Sequence, residues 1–164
     1  MEENERILRE HLVRLLEAGQ AHVDVDRVLA KLTLDDLSAK PEGAPWTPWE
    51  LFEHMRIAQW DILEFSRDAD HVSPEFPEGY WPQGPSQSAP KDPSEWAKWK
   101  RSVASFRRDR SAMAALVSDP DVDLYAKIPH GDGQTVLREA MLVADHNAYH
   151  VGQMVLMMKM MGRW

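Results

Sequence analysis

Val143-Ala144-Asp145-His146-Asn147-Ala148-Tyr149-His150-Val151-Gly152-Gln153-Met154 carries its apolar residues at helical rather than alternating intervals. At about 100° per residue, His146 and His150 fall one turn apart on a single face, flanked by Val143, Gln153, Met154 and Met157, so the pair points inward. Histidines four apart have Cβ atoms about 6 Å apart, close enough for their ring nitrogens to converge on one ion at about 2.0–2.1 Å. The helix that carries them starts at an N-cap Thr135 and runs to about Met161.

Working back from this segment, three more helices are expected. The second opens at Thr47-Pro48-Trp49-Glu50, with Thr as N-cap, Pro at the first position and Glu at N3, and continues to about Arg67. The third repeats that logic at Asp92-Pro93-Ser94-Glu95 and ends before Pro120. In the first, Leu8, Leu12, Leu15, Leu16, Gly19, Val23 and Leu29 recur at helical spacing from Ile7 to about Leu32. Thr33 to Leu37 adds a short turn, Pro41, Gly43 and Pro45 break the pattern, Tyr125 to Ile128 is extended, and Pro129 to Gly133 turns. Four amphipathic helices with hardly a strand signal predict an all-α, four-helix bundle. The connection from Asp68 to Pro90 is too long for a tight turn and implies a crossover. Its Tyr80 and Trp81 are expected to fold over the bundle as a wall of the site, the alternative being a connection that packs elsewhere.

Composition narrows the function. With 164 residues, 43% apolar and 28% charged, the chain reads as one domain spanning 1–164. The 27 carboxylates against 19 Lys and Arg give a net charge of −8, which opposes binding to nucleic acid or to an anionic membrane. Cysteine is absent, so a thiolate nucleophile, a disulfide framework and a Cys-ligated metal are excluded. The N-terminal Met1-Glu2-Glu3-Asn4-Glu5 lacks a basic leader, and no apolar run is long enough to span a bilayer, so a cytoplasmic protein is expected.

His54 shares the apolar face of the second helix with Leu51, Met55, Ala58 and Ile62. Three histidines directed into one small core each need a partner, and a shared divalent ion satisfies all of them while leaving at least one open position. The alternative is three separately hydrogen-bonded side chains. Rival ligands are His22, which follows Leu8 and Leu15 by sevens with Asp26 one turn on, and Asp61 and Glu50 beside the His54 stripe. Each carboxylate could equally be an acceptor behind a ligand or an ion-pair partner. Arg110 interrupts the apolar stripe of the third helix, suited to pairing Asp61, holding an anionic substrate or reaching out at the rim. Tyr149 and Gln153 are candidates to orient a substrate, or else packing and core-satisfying residues. His11, His71 and His130 read as surface or loop residues, and the Met154, Met157, Met158, Met160 and Met161 cluster as core or interface filler.

Trp49-Glu50-Leu51-Phe52-Glu53-His54-Met55 and Asp145 to Gln153, with its HxxxHxxQ pattern, together resemble the DinB-like, or DinB/YfiT-like, metalloenzyme superfamily over nearly the whole chain. This is the damage-inducible four-helix family, unrelated to the DNA polymerase that shares its name. The resemblance implies a bundle with a crossover, commonly a homodimer, holding a divalent ion on His54, His146 and His150. Some of its members are bacillithiol S-transferases or mycothiol-dependent maleylpyruvate isomerases, so a low-molecular-weight thiol and a small-molecule substrate are implied at class level. The reading is a metal-dependent thiol S-transferase or hydrolase, with Zn or Ni favoured and Fe or Mn as alternatives. Its rival is a non-catalytic ligand-binding or stress-response module with a structural metal, and solvent access to the ion separates the two. A homodimer through the second or last helix is also expected, because Trp49 and Trp60 lie on a charged side and the last helix is apolar around most of its circumference. The Pro-rich connection covering the tryptophans is the alternative.

Overall fold

Hydrogen-bonding side chains start the second and the last of the long helices where the sequence places them, whereas Asp92 caps a 3₁₀ turn and the third long helix begins after it at Trp96 without a side-chain cap. The computed structural model describes residues 2–17 and 20–164. Its helices are α1 (Glu3–Glu17), α2 (Val25–Leu29), α3 (Leu34–Ser38), α4 (Pro48–Arg67), α5 (Trp96–Ser118) and α6 (Val136–Met160), with single 3₁₀ turns at Glu78–Tyr80, Pro85–Gln87 and Pro93–Glu95. Among the described residues the only β pairing is an isolated bridge between Lys127 and Thr135, so the fold is all-α. Thr47 accepts from the Glu50 amide while the Glu50 carboxylate accepts from the Thr47 amide at 2.8 Å, a reciprocal cap for α4. Thr135 does the same duty for α6 by accepting from the Arg138 amide.

Helix α4 packs against α5 and α6, α1 packs against the same two, and α5 also touches α6. Apolar stripes fill the space between them in two clusters. One contains Phe52, Met55, Trp99, Phe106, Met154 and Met158, and the other Leu12, Leu63, Met113, Val117, Val136 and Ala140. Buried Gln59 ties three helices together: its amide donates to the Phe106 carbonyl at 2.7 Å, and its carbonyl accepts from Asn147 Nδ2 at 2.9 Å. No described helix is long and apolar enough to cross a membrane.

Two expectations need correction. The first helix does not continue to Leu32: α1 stops at Glu17, and α2 restarts from Asp24, whose extended backbone and side chain cap the Arg27 amide. Gly19, counted in the apolar pattern, lies outside the described residues. The run of sevens is therefore not one face, with Leu15 and His22 exposed and Leu29 buried. Apolar periodicity is blind to a break after which the pattern resumes in phase. The second correction concerns Trp49, which is 1% exposed rather than on an open charged side. The connection folds back over it, with its indole N–H donating to the Gln87 carbonyl at 2.8 Å and the Lys98 ammonium over its ring. Trp60 is half-buried against the edge of His71. Neither tryptophan supports docking through α4.

On α5, the buried Asp109 has one oxygen on Arg108, while Oδ2 has no hydrogen-bond partner. Burial pushes its carboxyl pKa up, opposed by Arg108. A carboxyl whose folded pKa is raised destabilises the fold once pH exceeds its unfolded value, and the effect vanishes where both states are protonated. Asp109→Asn should therefore raise Tm by roughly 2–4 °C at pH 7, with the gain shrinking as pH falls below about 4, as measured by calorimetry across that range.

Candidate metal centre

Packing of α4 against α6 brings His54 to His146 and His150, and the three rings meet edge-on or tilted with centroids 4.4–4.9 Å apart. His146 Nε2 lies 3.1 Å from Nε2 of His54 and 3.1 Å from Nε2 of His150. One ligand nitrogen from each ring falls within 4.8 Å of the others. Two nitrogens bound at about 2.05 Å to one tetrahedral ion stand about 3.3 Å apart, close to the spacing found here.

The opposite nitrogens determine what the ring cluster presents. His54 Nδ1 lies 2.9 Å from the Tyr80 carbonyl, which can only accept, so Nδ1 carries the proton and Nε2 a bare lone pair. His150 Nδ1 donates to Gln153 Oε1 at 2.7 Å, with the same result. Trp81 stacks on the His54 ring, 4.0 Å between centroids and 6° between planes, and Trp46 stacks on Trp81 at 3.8 Å. Burial holds all three imidazoles neutral. It is the largest cause of the fall in the His146 pKa to about 3, reinforced by repulsion from His150 and His54. Burial also lowers His54 against the opposing Tyr80 carbonyl, and lowers His150 against the opposing Gln153 contact. Three neutral imidazoles whose Nε2 atoms face one point, those of His54 and His150 as bare lone pairs, fit a divalent ion, and metal binding requires neutral rings.

Behind His54 runs a second buried network. Asp61 is 6% exposed; its Oδ1 accepts from His71 Nε2 at 2.8 Å and its Oδ2 from the Tyr80 hydroxyl at 2.6 Å. Burial, then Asp61, pushes the Tyr80 phenol pKa up to about 12, so it stays a donor. The connection is thus strapped to α4 by Tyr80, through its hydroxyl to Asp61 and its carbonyl to His54. A cavity of about 570 Å³ opens beside the strap, bordered by Tyr80, Trp81, His54 and His146.

Several side chains sit differently from the sequence reading. Asp61 and Glu50 engage His71, Tyr80 and the α4 cap, so neither joins the ring cluster. Arg110 pairs with Asp26 at 2.7 Å, not with Asp61, and Arg107 holds the other Asp26 oxygen. His22 is exposed beside the Val23 carbonyl and lines a separate small cavity with Arg110 and Asn147, so it does not approach the other histidines. Gln153 braces His150 instead of answering a core carbonyl. Tyr149 is 64% exposed, with its ring against the edge of His150 and outside the cavity beside His146. His71, expected at the surface, has a side chain only 8% exposed. His130 is a surface residue bonded to the Phe65 carbonyl, and His11 is exposed on α1. The bracing role of Gln153 had a sequence signal, an amide three residues beyond a candidate ligand on the same helix. His71 had none, since its partner is brought to it by the path of an irregular connection.

With this geometry established, comparison with known families finds that the family model of the DinB superfamily matches residues 17–154. Comparison with curated proteins and with solved structures gave no match.

The strap makes a prediction. Tyr80→Phe removes the tether to Asp61, and Trp81→Ala removes the plate stacked on His54; each should weaken zinc affinity by about 10–100-fold, the range for groups that orient a ligand. Competition against a chromophoric chelator measures it, and zinc affinity unchanged in both variants would contradict the role given to the strap.

Proposed function

The chain belongs to the DinB superfamily, and from that membership we propose that it binds one divalent metal ion through His54, His146 and His150 and acts as a metal-dependent enzyme of the thiol S-transferase or hydrolase class. The observation that carries the reading is the convergence of three neutral imidazoles on one point. An all-nitrogen donor set, with nearby carboxylates engaged elsewhere, favours Zn or Ni over the Fe and Mn that suit mixed His and carboxylate sites. Such an ion, when bound, supplies Lewis acidity that brings the pKa of a water or thiol toward neutrality. The protein's own groups orient and shield. Tyr80 and Gln153 fix the ring tautomers of His54 and His150, while Trp81 closes one side of His54 to water. A catalytic role is favoured over a structural metal because His54 and His146 border an open cavity. A low-molecular-weight thiol is the cosubstrate we propose at class level, with a small molecule as its partner.

We also propose a homodimer through α6. Met141, Tyr149, Leu156 and Met160 on that helix are each more than half exposed, and Gly152 among them faces open space. A glycine inside a helix costs about 1 kcal/mol relative to alanine, which a close approach by a second helix would offset.

Purified protein should contain close to one Zn or Ni per chain by plasma mass spectrometry, and His150→Ala should lose most of it. Unchanged metal content in that variant would sink the ligand assignment. Light scattering at micromolar concentration should give a dimer mass, and Leu156→Lys should shift it toward the monomer; a monomeric wild-type protein would refute the α6 interface.

A further inference from the structure

Most polar side chains around the cavity beside the histidines are already hydrogen-bonded to one another. Both Asp61 oxygens are occupied by His71 and Tyr80, and the Tyr80 hydroxyl is committed to Asp61. Glu139, with a side chain 3% exposed, accepts from Arg138, whose side chain is 57% exposed. What remains for a ligand is an apolar wall of Ala58, Ile62, Phe65, Leu142, Pro77 and the Trp81 ring, with His54 and His146 also on the border and one buried acceptor, Gln134 Oε1, that has no hydrogen-bond partner. Phe76 also borders the cavity, yet it is 83% exposed, an apolar side chain that an occupant would cover. A volume of about 570 Å³ lies within the usual range for small-molecule sites.

We propose that this cavity binds a small organic molecule with an aryl or alkyl body and one polar head, the body lying against Phe65, Leu142 and Phe76 and the head at the histidines. A polyol, sugar or multiply charged metabolite is rejected, because beyond one donor to Gln134 Oε1 and the head at the histidines its polar groups would lose water and meet an apolar wall or side chains already hydrogen-bonded to one another. Placement of the head rests on the metal-dependent reading above, whereas binding of the body does not.

The two are separated by fluorine NMR with two probes, 4-trifluoromethylbenzyl alcohol on metal-free protein and 4-trifluoromethylbenzylthiol on zinc-loaded protein. Metal-free protein should bind the alcohol, with Phe76→Ala weakening it about 3–10-fold and Leu142→Trp, which fills the cavity, weakening it by on the order of tenfold or more. Phe76 is exposed, so its variant keeps the test valid should Leu142→Trp misfold, and zinc uptake equal to wild type shows that a variant is folded. Binding absent from metal-free protein, or insensitive to both substitutions, would overturn the proposal even if zinc is taken up normally. A thiol that binds zinc-loaded protein no more tightly than the alcohol, with the substitution effects intact, would leave the cavity assignment standing and count against the metal-centred reading.

Discussion

A backbone carbonyl decides which nitrogen of His54 carries its proton. Because the Tyr80 oxygen only accepts, the His54 proton sits on Nδ1 and its Nε2 lone pair faces His146. Gln153 imposes the same order on His150. Without these contacts each imidazole could present either nitrogen, and the three rings would satisfy one another as ordinary core histidines. The chemistry of the centre therefore depends on the connection from α4 to α5 as much as on the helices that carry the rings.

That dependence accounts for the way the connection is held. The Tyr80 hydroxyl is anchored on a buried carboxylate that also holds His71, and Trp81 is sandwiched between His54 and Trp46. Further along, Gln87 caps the indole of Trp49, so the same segment closes the core of α4. Buried area that a helix partner would otherwise have supplied comes from an irregular segment rich in proline, which loses less conformational freedom on ordering than a flexible chain.

The parts of the fold legible in the sequence are those governed by local rules. Thr47, Pro48 and Glu50 mark the start of α4 through groups within four residues of each other, and the apolar spacing from Val143 to Met157 places His146 and His150 on one inward face. Where the fold depends on a distant partner, local rules fail. Nothing near Trp49 announces that Gln87 will cover it, and the pairing of Arg110 with Asp26 follows from the break after α1, which an in-phase apolar pattern conceals. The histidine cluster was legible because each of its three members sits on a strongly periodic helix. The network behind it, Asp61 with His71 and Tyr80, was not, since two of its three members belong to the connection.

Long-range proton–nitrogen correlation spectra of the histidine rings, recorded at pH 7 with and without one equivalent of zinc, test the central claim most directly. The account predicts that His54 and His150 are Nδ1-protonated in both spectra and that zinc shifts the Nε2 resonances of His54, His146 and His150 together. Nε2-protonated tautomers for His54 and His150, or Nε2 resonances that do not move on adding zinc, would contradict it.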